Sequence, residues 1–570
     1  MGRILSKMNR SCLAVAMAVA LILPSRSYAR DMARPTLIVA ISVDQFSADL
    51  FAEYRGIFTQ GMARMAGGAV FPSGYQSHAA TETCPGHSTI LTGSRPARTG
   101  IIANHWYDLG SPRADKLVYC AEDPSVARDA SGSYMASPVQ LKVPTLGDRM
   151  KAADPNSRVV AIAGKDRAAL MMGGHETDQI WFWNGRTYAT LSGRTGSSPA
   201  IVRRINARVA ALLAQPTRPV LPAQCGTRAL ALPVGNGKQV GLLVERKAGD
   251  AKAFRATADF DAATADLAIG LLDEMKLGEG PATDLLTIGL SATDYVGHLF
   301  GTEGAEMCAR MIGLDATIGR LLAAFDARGL SYVVVLTADH GGHDLPERNA
   351  VRGFPAAQRV APDLSPGTIG KRVADTLKLD LAEPLLHSDG PFGDWYLSRK
   401  VPPELRARAI MLARSELLAH PQVAAVLGAE ALKSMPMPVP PVEEWSLAER
   451  ARASFDAERS GDLIVLLKPY VTPIPDPGTG GVATHGSPWG YDRRVPILFY
   501  RPDMIGFEQP LSVETVDILP TLAALIDLDI GPGEIDGRCL DVELRQPSLC
   551  KGRKSLHQRH SFDSLELSSQ

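Results

Sequence analysis

Six apolar runs of strand length punctuate the chain: PTLIVAISVD (35–44), RVVAIAGK (158–165), DLLTIGLSATD (284–294), YVVVLTADHGG (332–342), DLIVLLKP (462–469) and VPILFY (495–500). They are continuous rather than alternating, which marks strands buried on both faces. Helical patterns intervene, notably over 305–329 and 513–528. Together they predict an α/β fold with a mostly parallel central sheet sandwiched by helices. Two long intervals, near 105–280 and 345–460, are rich in Pro, Gly and Arg and read as insertions that build a cap over the sheet edge. The expected organisation is one catalytic-sized domain over 30–550, with a polar tail at 551–570 expected to be disordered.

The N-terminus follows a different pattern. Arg3, Lys7 and Arg10 precede an apolar run from Cys12 to Pro24, and Ser27-Tyr28-Ala29 supplies small residues where a signal peptidase reads. The run is too short for a comfortable membrane span. Residues 1–29 therefore read as a secretory signal, and the mature protein is expected to be periplasmic or secreted, without a stable membrane anchor. Sixty Lys and Arg against 61 Asp and Glu leave no excess charge, which argues against a nucleic-acid partner. Cys12 leaves with the signal. The six remaining cysteines (84, 120, 225, 308, 539 and 550) are an even number in an oxidising compartment, and Cys539 and Cys550 are the best local pair.

Three of the strands end in aspartate: Asp44, Asp294 and Asp339. Ligands of open α/β sheets bind beyond the carboxyl ends of the strands, so these three should converge. Singly, each is more simply a helix cap or turn former. Histidines accompany them: His298 one turn after Asp294, His340 beside Asp339, and His485 in a loop entering the run 495–500. Carboxylates and imidazoles without clustered thiolates suit zinc, with manganese, iron or cobalt open on chemistry alone. Six ligands exceed one tetrahedral ion and suit two, the arrangement that clamps both oxygens of an in-line displacement.

The segment TETCPGHSTILTG (81–93) supplies a reacting group. Pro85 fits a first helical turn, which puts Thr83 or Cys84 near the N-cap. A threonine there is most simply a cap. Beside two metals its hydroxyl becomes a nucleophile facing the positive end of a helix. In AIAGKDRAAL (161–170), Lys165 and Arg167 end a strand as alternate residues; by themselves they are equally a solvated strand end, but two cations aimed at one crevice match a dianionic terminal phosphate.

The set Thr83-Cys84-Pro85-Gly86-His87, Thr92-Gly93, Gly100 to Asn104, Asp294-x-x-x-His298, Asp339-His340-Gly341 and Thr484-His485-Gly486 resembles the alkaline phosphatase superfamily, in order, from about 40 to 500. The resemblance implies Thr83 as nucleophile and ligand, Asn104 as a donor to a phosphate oxygen, and two Zn2+ per subunit. One zinc would be held by Asp294, His298 and His485, the other by Asp44, Asp339, His340 and Thr83. The Lys165-x-Arg167 pair is similar to that of the threonine-nucleophile alkaline phosphatases and favours phosphate monoesters, with broad specificity and a monomeric enzyme expected. The alternative is a phosphodiesterase or nucleotide pyrophosphatase of the same superfamily. A sulfatase is excluded because Cys84 is followed directly by Pro85, with no arginine before Arg95. Trp181, Phe182 and Trp183 read either as a ring-stacking platform or as buried packing.

Overall fold

The computed structural model describes residues 33–193, 198–235, 237–543 and 548–550. The signal at 1–29 and the tail at 551–570 lie outside them. Its central strands are β1 (Leu37–Val43), β2 (Ala69–Tyr75), β5 (Val159–Ala163), β6 (Gln179–Trp183), β7 (Asp284–Leu290), β8 (Tyr332–Thr337) and β9 (Arg494–Tyr500), while β3 (His105–Tyr107) and β4 (Leu117–Tyr119) form a separate hairpin. The central order is β2, β9, β8, β1, β7, β5, β6, with short edge strands beyond both ends. From β8 to β6 the pairings are parallel, and β9 runs antiparallel to both its neighbours. The mostly parallel α/β sandwich expected from the apolar runs is the fold observed.

Alternation along β1 explains why that strand had to be continuously apolar. Leu37, Val39, Ile41 and Val43 enter one core, while Ile38 and Ala40 enter another. The first core is closed by helices at Ala258–Met275 and Ala305–Ala327, which contribute Leu267, Leu271, Met311, Leu314 and Leu321. The second is closed by Ile518–Leu525, every residue of which is buried. Each large apolar side chain so buried contributes roughly 1.5–3 kcal/mol relative to exposure. A sheet covered on both faces keeps its strand ends, and therefore the aspartates beyond them, in fixed register.

Two sequence expectations need correction. Residues 462–469 do not join the central sheet: Leu463–Leu467 pairs antiparallel with Gly393–Leu397 and Val423–Gly428 in a second, four-stranded sheet. Its side chains are buried on both faces there too, Val465 in one core and Ile464 in another, so an apolar run alone cannot tell which sheet it enters. The interval 105–280 is likewise more than an insertion, because beside the expected strand at 158–165, which is β5, it delivers β6. Trp181, Phe182 and Trp183 lie on β6, each 4–7% exposed, and pack in the cores rather than forming a platform.

Disulfides join Cys84 to Cys120, Cys225 to Cys308, and Cys539 to Cys550. The last is the local pair expected from spacing. Among the described residues, no helix is long and apolar enough to cross a membrane.

Candidate active site

Strands β7, β1 and β8 are neighbours in parallel register, with Val43 opposite Leu290 and Ser42 opposite Thr337. Asp44 lies one residue beyond β1, Asp339 two beyond β8, and Asp294 in the first turn of the helix Ala292–Phe300 that follows β7. All three are buried. The same helix carries His298 four residues on, so its ring lies above Asp294 with Nε2 3.2 Å from Oδ1.

The histidines share one orientation. Nδ1 of His298 donates to the Ala483 carbonyl (2.9 Å), that of His340 to Gly341 (2.9 Å) and that of His485 to Thr81 (2.8 Å). A carbonyl can only accept, so Nδ1 carries the proton, and in the neutral imidazole this leaves the Nε2 lone pair free to bind. Those lone pairs face carboxylates: His340 Nε2 lies 3.2 Å from Asp339 and 3.6 Å from Asp44, and His485 Nε2 3.5 Å from Asp294. For His340, which burial keeps neutral, acceptor faces acceptor inside the protein, and that is unfavourable unless a cation lies between. Asp44 Oδ1, Asp294 Oδ1, Asp339 Oδ2 and His340 Nε2 are buried without a hydrogen-bond partner. This donor set fits metal ions.

Two groups have ligand atoms close enough for one ion each: Asp44, Asp339 and His340, and Asp294, His340 and His485. The grouping differs from the sequence expectation in that His340 reaches both clusters, its ring stacked 3.5 Å from that of His485. His298 stands beside the second group, 5.1 Å from His485 between ring centres.

Electrostatics expresses the same crowding. Burial, then the charges of Asp339 and Asp294, pushes the Asp44 carboxyl well above its ordinary range. Burial acts the same way on Asp294, but His298 and Lys165 outweigh it and hold that carboxyl well below. Burial lowers His340 to about 3, so its imidazole is neutral at physiological pH. Lys165 is the nearest countercharge, its Nζ 2.6 Å from both Asp44 and Asp294. Those two carboxylates hold it protonated against the cost of burial.

Facing this cluster of carboxylates and imidazoles stands the helix Thr83–Ile90, fully buried. Its N-cap is Glu82, not a threonine, and Thr83 is the first helical residue, so the hydroxyl is not consumed in capping. A β-carbon at Gly86 would collide with the Asp339 carbonyl, so glycine there permits the helix to pack directly on the loop bearing Asp339 and His340. Thr83 Oγ1 lies 3.4 Å from Lys165 Nζ and 3.5 Å from an Arg167 guanidinium nitrogen. Asn104 approaches the same turn, its Oδ1 accepting from the Cys84 N–H at 2.9 Å.

The sequence assigns no role to three supporting residues. His87 donates to the Thr83 carbonyl (2.8 Å) with the same Nδ1 lying 3.1 Å from Asp339 Oδ2, tying the helix to the loop that bears Asp339. Glu82 accepts the Asn104 N–H at 2.7 Å, and the Tyr119 hydroxyl accepts from Arg167 at 3.3 Å. The i,i+4 spacing of Thr83 and His87 could have suggested the first of these contacts; the others join distant segments.

Comparison with known proteins now bears on this geometry. The model for type I phosphodiesterase / nucleotide pyrophosphatase matches residues 38–488, which takes in all ten candidate residues. The chain belongs to that family. It lies within the alkaline phosphatase superfamily, as the motifs imply. Over 515 residues the chain is 58% identical to alkaline phosphatase PhoD of Zymomonas mobilis, covering 90% of this chain and 89% of the other. It is 53% identical to alkaline phosphatase PhoK of a Sphingomonas species, covering 91% and 93%. The crystal structure of alkaline phosphatase PafA superposes with a TM-score of 0.77 at 24% identity, covering 89% of this chain and 98% of that one, a likeness of fold.

Proposed function

We propose that this family member is a secreted or periplasmic zinc-dependent alkaline phosphatase, hydrolysing a broad range of phosphate monoesters through a covalent phosphothreonine. The carrying observation is the convergence of Lys165 and Arg167 on Thr83 Oγ1 at 3.4 and 3.5 Å. A monoester presents one more negative charge than a diester, and two cations at the nucleophile suit that extra charge. The relatives named as alkaline phosphatases support the same branch.

Asp44, Asp339 and His340 would hold one ion, with Thr83 as a further ligand, and Asp294, His298 and His485 the other. Such ions supply Lewis acidity, acidify coordinated hydroxyls and stabilise charge on attacking and leaving oxygens. The chain's own residues do the rest. Thr83 Oγ1, having lost its proton, attacks phosphorus as the bond to the leaving oxygen breaks, giving phosphothreonine and a free alcohol. Water then attacks phosphorus, the Oγ1–P bond breaks, and inorganic phosphate is released. Arg167, Lys165 and the Asn104 amide hold the nonbridging oxygens through both displacements. His87 and Gly86 keep the helix seated so that Oγ1 stays in line.

The test is kcat/KM of zinc-loaded protein for p-nitrophenyl phosphate and bis-p-nitrophenyl phosphate, measured side by side. A monoester preference of about a hundredfold or more supports the reading. A diester preference moves the protein to the phosphodiesterase branch and demotes Lys165 and Arg167.

A further inference from the structure

The Cys84–Cys120 disulfide occupies a place that the other two do not. Cys84 directly follows Thr83, and Cys120 directly follows Tyr119 at the end of β4; both are fully buried. The hairpin β3–β4 consists of three residue pairs, a length that is marginal by itself. Asn104 immediately precedes β3 and is bonded to both ends of the bridge. Its carbonyl accepts the Cys120 N–H at 3.0 Å, and its side-chain Oδ1 accepts the Cys84 N–H at 2.9 Å. The Tyr119 hydroxyl meets Arg167 at 3.3 Å and donates to Asp166 at 2.8 Å. One covalent link therefore joins the nucleophile's helix to the short hairpin that carries Asn104 and braces Arg167. By contrast, Cys225–Cys308 ties the turn Ala223–Arg228 to the long helix Ala305–Ala327.

From this placement we infer that the Cys84–Cys120 disulfide is a positioning crosslink. It sets the distance between Thr83 Oγ1 and the phosphate-binding groups Asn104 and Arg167. The inference rests on the proposed role of those groups. Its physical basis is that an error of about 1 Å in such a constellation costs on the order of a hundredfold in rate. Three pairs of hairpin and a few hydrogen bonds constrain that distance less than a covalent bridge does.

The experiment compares wild type, Cys84→Ala/Cys120→Ala, Cys225→Ala/Cys308→Ala and Arg167→Ala, all zinc-loaded. Metal content is checked by elemental analysis, and inorganic phosphate binding is measured by calorimetry beside kcat/KM. The Cys84/Cys120 variant should bind phosphate about tenfold more weakly and lose roughly ten- to a hundredfold in kcat/KM for the monoester, with metal content unchanged. The Cys225/Cys308 variant should melt earlier and bind phosphate like wild type. Unchanged phosphate affinity in the first variant overturns the inference, and so does an equal loss in both, which would reduce the bridge to general stability. If the first variant does not fold, Cys84→Val/Cys120→Ala removes the bridge while refilling part of the lost volume. It should weaken phosphate binding by about threefold or more, and no change overturns the inference. If Arg167→Ala itself binds phosphate like wild type, the phosphate-site reading fails instead.

Discussion

Asp44, Asp294 and Asp339 hang from three adjacent parallel strands of one sheet, whereas Asn104 comes from the start of a hairpin of three residue pairs and Lys165 and Arg167 from the N-cap and first turn of the helix Asp166–Gly173. The metal side is braced by backbone: strand register places the carboxylates, and three main-chain carbonyls orient the imidazoles. The phosphate side is braced by side chains and a disulfide. Lys165 belongs to both, 2.6 Å from Asp44 and Asp294 and 3.4 Å from Thr83 Oγ1. What differs between the two sides is how freely each can be retuned. A shift in the sheet would disturb the three aspartates at once, while Asn104 and Arg167 can change without moving those strands.

Experiments that separate the two sides should rank accordingly. Removing divalent metal with a chelator should abolish turnover of monoester and diester alike, on the order of 10⁴-fold, with recovery on adding Zn2+, read by initial rates. A chelator that spared one ester would break the equivalence of the metal side. Thr83→Ala should cost at least about 10³-fold toward both esters and eliminate the phosphothreonine trapped by acid quench and mass spectrometry. Arg167→Ala should be selective, lowering kcat/KM for the monoester by roughly 10²-fold and for the diester by less than about tenfold. Equal losses for both would mean that Arg167 supports the fold instead of reading charge.

The smallest effect comes from the second sheet. Asp394, in the second sheet, is pushed by burial from the ordinary 3.8 to about 7, while its Oδ1 accepts the Gly461 N–H at 2.8 Å. The folded state holds this proton more tightly than the unfolded chain. Stability is therefore unaffected well below pH 3.8, falls as pH rises toward about 7, and carries the full penalty above it. Asp394→Asn keeps the acceptor and removes the charge. It should raise Tm by roughly 1–3 °C at pH 8 and leave it unchanged at pH 3, without altering the ratio of monoester to diester activity.

Much of this was legible because it is local or periodic. Continuous apolar runs ending in Asp44, Asp294 and Asp339 announce strands and the edge where they converge, and the i,i+4 step from Asp294 to His298 is visible in the letters alone. Whether 462–469 joins the central sheet was not legible, since burial on both faces is common to either destination. Nor were Glu82 and Tyr119: the contact from Tyr119 to Arg167 spans 48 residues and depends on where a short hairpin lies. Cys84 could be read as packed or bonded, but its partner Cys120 follows from three-dimensional proximity, which spacing does not encode.

Gly86 bears on how this site could have arisen and how it can be altered. Even the smallest side chain there would strike the Asp339 carbonyl, so position 86 offers no gradual path by which a residue could be exchanged and later compensated nearby. A library that randomises residues 84–89 and selects for turnover should recover variety at several positions and glycine alone at this one. The single missing methyl group acts as a ruler between two chain segments about 250 residues apart.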